Sequence, residues 1–190
     1  FNTITIVPYG SLYYLPFHAL ERKLPTGEFQ YLLEWKRIAY LTSSTLLDLL
    51  KGGRRREAEE SLIAFGNPDG TLKSALEEVE ALGAIVSESE ILTLEKATKD
   101  KFLTYAKDYN IIHLATHGYL ESNPKNSYLV LAPKGKGNLT IWEIMGELTD
   151  TLKAKNRLVV LSACQTALEE GKQFQGKELL SLAGAFTRAG

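Results

Sequence analysis

The chain has 190 residues, 44% of them apolar and 24% charged, with 22 Lys and Arg against 23 Asp and Glu for a formal net charge of −1. That length suits a compact domain with its own core, and the balanced charge lacks the basic excess that drives phosphate-backbone binding, so direct nucleic-acid binding is not expected. A single Cys permits no intrachain disulfide and points to a reducing, cytoplasmic setting; no apolar run approaches the ~20 residues of a membrane helix and no signal-peptide pattern opens the chain, so no membrane partner is expected.

Residues 3–7 alternate Ile and Thr and read as a strand. Pro8-Tyr9-Gly10 turns the chain, with a short returning strand expected over 12–15. Residues 31–35 and 37–41 read as extended, and Ser43 or Ser44 is placed to cap a short helix over 46–50. Residues 51–57 combine Gly with clustered charge and read as an exposed loop, in which Arg54-Arg55-Arg56 is too short for a nucleic-acid patch but suits an exposed cleavage site.

From Ser61 the pattern becomes regular. Residues 61–65 form an apolar strand ending in the breakers Gly66-Asn67-Pro68-Asp69-Gly70. Leu72, Ala75, Leu76, Val79 and Leu82 then follow at helical spacing, closed by Gly83, with Glu77, Glu78 and Glu80 on the solvated side. A short strand is expected over 91–94. Thr98 caps a helix with Phe102, Tyr105, Ala106 and Tyr109 inward. Residues 111–115 and 128–132 read as strands, 139–147 as a strand edge or helix, and 158–162 as a further buried strand. A last helix over 178–188 turns Leu179, Leu182, Ala183 and Phe186 inward.

Strands alternating with amphipathic helices predict an α/β fold, a mainly parallel central sheet with helices on both faces. Residues 1–60 supply strands and a loop, and 61–190 the alternating core, within one domain. Such open sheets bind ligands outside the carboxyl ends of their strands. One apolar strand runs into His113-Leu114-Ala115-Thr116-His117-Gly118, and another delivers the only Cys through Leu161-Ser162-Ala163-Cys164-Gln165-Thr166. If these strands are neighbours, His117 and Cys164 face one crevice. That pair suits nucleophilic acyl transfer: a thiolate attacks a carbonyl, and an imidazole adjusts the thiol and protonates the leaving amine. The N–H groups of Gly118 and Cys164 are the natural oxyanion donors, since Gly without a Cβ lets substrate approach the main chain. The bland alternative is a buried, inert Cys beside a satisfied polar His.

The His113–Gly118 and Leu161–Thr166 blocks resemble the two signature blocks of CHAT domains, caspase-like peptidase domains often fused to tetratricopeptide repeats and grouped with caspases and separases. The likeness extends to Ile6-Val7-Pro8-Tyr9-Gly10, Leu15-Pro16-Phe17-His18-Ala19-Leu20, Gly66-Asn67-Pro68, the 139–144 stretch and the 179–190 helix, and so spans essentially the whole chain. The resemblance implies a caspase-like three-layer α/β sandwich and a cysteine endopeptidase. His117 would match the family's catalytic His, Cys164 its nucleophile, and Gly118 would line the oxyanion hole. It also implies a protein or peptide substrate, and regulation by a partner or by fused repeats outside this chain; no cofactor is expected. The family pattern continues past the last helix into another strand and helices, so truncation at Gly190, with an open sheet edge beside 158–162, is expected. The 167–175 segment after the nucleophile, with little apolar anchorage, is expected to be mobile.

Several other patterns have simpler explanations. His113 precedes His117 by four residues, but on a strand these lie ~13 Å apart, too far to share one metal ion, and the Glu of a zinc-binding helix motif is absent; His113 reads as a core residue satisfied by backbone. Residues 171–178 nearly spell a phosphate loop, yet Glu178 stands where Ser or Thr should hold magnesium. Gly10-Ser11-Leu12 lacks the second Gly of a nucleophile elbow. Asp69, Glu147 and Asp150 are acidic candidates for a substrate pocket. The functional alternative to a peptidase is a non-catalytic interaction scaffold of the same fold.

Overall fold

A computed structural model describes residues 2–9, 11–12, 15–41, 60–121, 123–148, 152, 158–165, 182, 184–187 and 189. The expected helix over 46–50, the 51–57 loop, the 167–175 segment and the phosphate-loop-like 171–178 stretch lie outside the described residues. Internal contacts divide the chain into two units, Phe1–Glu57 with Phe174–Leu180 and Ala58–Gln173 with Ser181–Gly190.

In the first unit the Ile/Thr alternation forms β1 (Thr3–Ile6). Leu12 sits in a 3-10 turn instead of a returning strand, its N–H donated to the Tyr9 carbonyl at 3.1 Å. β2 (Glu21–Lys23) and β3 (Phe29–Tyr31) form an antiparallel hairpin that alternation did not reveal, because its residues are exposed or half-buried. The 31–35 stretch is not extended throughout: after Tyr31 it makes one helical turn, α1 (Leu32–Trp35). The cause is local, since the Glu34 carboxylate accepts the Tyr31 N–H and closes the turn. β4 (Arg37–Tyr40) pairs in parallel with β1.

In the second unit β5 (Ser61–Gly66) is buried along its whole length. α2 (Lys73–Ile85) does not stop at Gly83. The Val86 N–H still reaches the Leu82 carbonyl at 3.0 Å, and the bare Gly83 instead admits Ile91, whose Cγ1 would lie 2.8 Å from an added Cβ. β6 (Glu88–Thr93) starts three residues before the apolar run. Thr98 caps α3 (Lys99–Tyr105), accepting the Lys101 N–H, and a 3-10 turn over Ala106–Asp108 follows. Phe102 and Ala106 point inward as expected, whereas Tyr105 is exposed.

β7 (Ile111–Tyr119) runs four residues beyond the expected strand. β8 (Tyr128–Leu129) is shorter than expected: the Val130 amide still reaches the His117 carbonyl of β7 at 2.9 Å, but the two amides after it leave the ladder, Leu131 donating to Gly137 at 3.1 Å and Ala132 to Ala97 at 2.8 Å. The 139–147 stretch contains both alternatives, β9 (Leu139–Thr140) and α4 (Ile141–Glu147). Within β10 (Leu158–Gln165) the 158–162 stretch is not buried as expected: Val159, Val160 and Leu161 are half-buried, and Leu158 and Ser162 are exposed. Among the described residues its only ladder is with β7. Of the last helix, Leu182, 184–187 and Ala189 are described as helical, and Leu182 and Phe186 are buried.

The sheet of this unit is mixed. β6, β5, β7 and β10 lie side by side in parallel, while β8 and β9 add antiparallel pairs. β5 pairs β7 only as far as Ala115, and β8 takes over the same edge at Gly118. From β5 the chain steps to β6 on one side, then crosses to β7 and β10 on the other. The switch point therefore falls between β5 and β7, and a crevice is expected at their carboxyl ends. Leu62, Ala64 and Ala115 pack against Ala75 and Val79 of α2. Phe65, one residue out of phase and so on the other face, meets Phe102 of α3 with ring centroids 5.5 Å apart, and Phe102 meets Phe186 at 6.2 Å. No helix among the described residues is long and apolar enough to cross a membrane.

One ion pair joins two helix starts. Lys99 Nζ donates to Glu143 Oε1 at 2.8 Å, and Glu143 also completes a capping box with Thr140 at the start of α4. Burial pushes the Glu143 carboxyl up, but the Lys99 hydrogen bond, those from Thr140 and the Lys99 charge together hold it below its ordinary value. A carboxyl lowered by folding stabilises the fold above its unfolded pKa of about 4.3 and loses that contribution as pH falls through the folded value. The melting temperature of Glu143→Gln should thus lie below that of the native chain at about pH 7, and the gap should close towards about pH 3. A gap independent of pH in thermal melts would show that the pair contributes nothing through ionisation.

Candidate active site

The loop after β5 is tied to β7 by Asn67. This buried residue takes a left-handed φ of 49°, which Asn tolerates better than most side chains. Its N–H donates to the Ala115 carbonyl at 3.0 Å, its carbonyl accepts the Gly70 N–H at 3.2 Å, and its side-chain oxygen accepts the Leu72 N–H at 2.8 Å. These bonds bring Asp69 and Thr71 against the end of β7.

His117 Nε2 lies 2.7 Å from Thr71 Oγ1 and 3.9 Å from Asp69 Oδ1. Thr71 donates to Asp69 Oδ1 twice, from its hydroxyl at 2.7 Å and its amide at 3.2 Å. Lys134 Nζ stands 3.5 Å from Asp69 Oδ2. Burial raises the Asp69 carboxyl, its side chain being 7% exposed. The two Thr71 hydrogen bonds, followed by the charges of His117 and Lys134, outweigh that and bring it below the usual carboxylate value. Beyond His117, Tyr119 lies at a centroid distance of 6.2 Å and stacks on Tyr128 at 5.1 Å. A cleft of ≈ 280 Å³ opens beside Asp69, lined in part by Pro68, Leu94, Glu95, Pro133 and Lys134.

Cys164 occupies the register position of β10 paired with His117, and Gln165 that paired with Gly118. The two chemistry-bearing strand ends are therefore adjacent in the sheet. The backbone of Gly118 lies between β8 and β10. An added Cβ there would meet Ala163, Leu129 and Leu182 at 3.5–3.9 Å, on the face away from His117. The bare α-carbon of Gly118 thus does not open the His117 surface, and any oxyanion role would rest on its main chain alone.

The CHAT domain model matches residues 1–190, the whole chain. The chain belongs to the CHAT domain family. CHAT domains are related to caspase-like peptidases and are often fused to tetratricopeptide repeats. No curated protein matches this CHAT domain significantly.

Two expectations about polar residues need correction in this CHAT domain. His113 is buried, 6% exposed, and among the described residues its ring is satisfied by a side chain: its Nε2 lies 2.8 Å from Glu78 Oε1. Glu78 is accordingly not a purely solvated residue, for its other oxygen accepts the Ser162 hydroxyl of β10 at 2.9 Å. The expectation failed because helical spacing assigns Glu78 to the flank of α2, and only the sheet beneath reveals which flank meets β7 and β10. His113 and His117 thus meet different carboxylates. Of the acidic pocket candidates, Asp69 borders the cleft, Glu147 is exposed at the end of α4, and Asp150 lies outside the described residues. Sequence reasoning missed Thr71, although the breaker cluster just before it, at the end of an apolar strand, marks where a site loop belongs.

Proposed function

We propose that this CHAT domain is a cysteine endopeptidase, with Cys164 as nucleophile and His117 as its acid–base partner. The parallel register that pairs Cys164 with His117 carries this reading. Adjacent strands lie about 5 Å apart, a spacing across which a thiol and an imidazole can cooperate. In the proposed reaction the Cys164 thiolate attacks the scissile carbonyl carbon, and the N–H groups of Gly118 and Cys164 hold the oxyanion. His117 takes up the thiol proton and returns it to the leaving amine as the C–N bond breaks. Water then attacks the thioester, giving up a proton to His117 and releasing the acid and the thiol.

The proposal extends to the architecture and setting. Residues 1–190 are taken as one domain of caspase-like three-layer organisation, working in a reducing cytoplasm on a protein or peptide substrate, under control of a partner or of fused repeats. A thiol-directed peptidyl electrophile should label the native chain at Cys164, leave Cys164→Ala unlabelled, and label His117→Ala far more slowly. Equal labelling of the native chain and His117→Ala would remove the dyad. Absence of labelling and of cleavage in the native chain, alone and fused to its repeats, would favour the non-catalytic scaffold.

A further inference from the structure

We propose that Asp69 and Thr71 are positioning residues for His117: the carboxylate captures the Thr71 hydroxyl hydrogen, so that the hydroxyl oxygen accepts the Nε2 proton and leaves Nδ1 as the ring's basic atom. The catalytic meaning of this arrangement rests on the peptidase reading; the arrangement itself does not.

The proton count forces the direction. A threonine hydroxyl has one hydrogen to donate and lone pairs to accept with. Thr71 Oγ1 lies 2.7 Å from both Asp69 Oδ1 and His117 Nε2, so it can donate to only one of them. An ionised carboxylate accepts and never donates, and Asp69 is held ionised by its two bonds from Thr71 and by Lys134. The hydroxyl hydrogen therefore lies towards Asp69, and the remaining contact requires hydrogen on Nε2. Direct contact does not compete, because 3.9 Å between Asp69 Oδ1 and His117 Nε2 is beyond hydrogen-bond length.

The loop is built to keep this geometry. Asn67 pins its start to Ala115 and its end at Leu72, so Thr71 is held between two anchored points. When the imidazole is protonated, its Nε2–H continues to point at an oxygen polarised by the Asp69 carboxylate. A fixed tautomer matters because a histidine presenting the wrong nitrogen cannot take the nucleophile's proton; in serine peptidases that error alone costs about 10⁴ in kcat.

The test reads the ring directly. In the ¹⁵N-histidine-labelled full chain at about pH 8, above the ordinary imidazole range, two-bond ¹H–¹⁵N correlations distinguish the Nε2–H from the Nδ1–H form. His117 should be Nε2–H in the native chain and in Thr71→Ser, which keeps the hydroxyl. It should become mixed or Nδ1–H in Thr71→Val and in Asp69→Ala. The His113 signal, set by Glu78, reports that the fold persists. A native Nδ1–H form, or the same form before and after Thr71→Val, would overturn the proposal. In turnover, Thr71→Val should lower kcat about 10²-fold with little change in KM, and Thr71→Ser should restore most of it. Unchanged turnover in a Thr71→Val chain whose tautomer has been lost would also overturn the positioning role. If the tautomers behave as expected but no form of the chain cleaves peptide, the peptidase reading fails while the proton arrangement stands.

Discussion

Cys164→Ala should abolish peptide cleavage, and His117→Ala should lower kcat by about 10⁴-fold or more. The two losses should not add. Once the thiol is gone, the imidazole has no proton to take, and once the imidazole is gone, little thiolate is formed and the leaving amine has no acid. Comparison of both single variants with the double variant in single-turnover assays on one peptide substrate separates this from damage to the fold. Among the described residues the polar partners of the His117 ring are Thr71 and Asp69, and its loss leaves the β7 ladders with β5 and β10 in place. Thermal melts of His117→Ala should accordingly stay close to native. Native turnover in either single variant would reject the mechanism, whatever the melts show.

Phe102→Ala should cost about 3–5 kcal/mol of stability, a large share of the roughly 5–15 kcal/mol that domains possess. Phe102 is fully buried, and its ring stands edge-on between Phe65 of β5 and Phe186 of the last helix, at 5.5 and 6.2 Å. Truncation removes the apolar area and both ring contacts, and leaves a cavity that three separate elements would have to move to fill. Phe102→Leu retains most of the volume and should cost clearly less. Denaturant midpoints of the two variants check this. Equal, small losses would mean that the layer around Phe102 collapses freely and does not lock α3 to the sheet. By contrast, Tyr105, expected from helical spacing on the same inner face, is exposed and should tolerate Ala with little loss.

Some of the fold is legible in particular residues because their environment is their immediate neighbourhood. Ser61–Gly66 and the Ile111–Ala115 start of β7 are mostly apolar and are buried or half-buried on both faces, which a strand covered by helices accommodates. Thr98 reveals its cap since the partner amide lies three residues on. Where a nearby polar group outvoted the pattern, local reading failed: Glu34 turned an apparently extended stretch into α1, and amides at Leu131 and Ala132 left the ladder for loop carbonyls. The strand carrying His117 ran longer than expected because β8 and β10 supply ladder partners after β5 ends, and β10 lies far along the chain.

The amino-acid sequence by itself determined the alternation of strands and helices, the presence of His117 and Cys164 at two apolar strand ends, and the family to which the motifs belong. The alternation and the two strand-end residues are properties of period and spacing, which a single strand or helix expresses alone, whereas the family rests on the likeness of the motifs. Tertiary structure decided which strands are neighbours, and with it the pairing of Cys164 with His117. It also decided that Glu78 meets His113 and Ser162 and that Thr71 stands between Asp69 and His117, partners 35, 84 and 46 residues apart in the chain. Hydrogen bonds of that reach are selected by the register of a sheet and the seating of a helix on it. No local preference encodes them, because each partner alone is an ordinary polar residue with water as an equally good alternative.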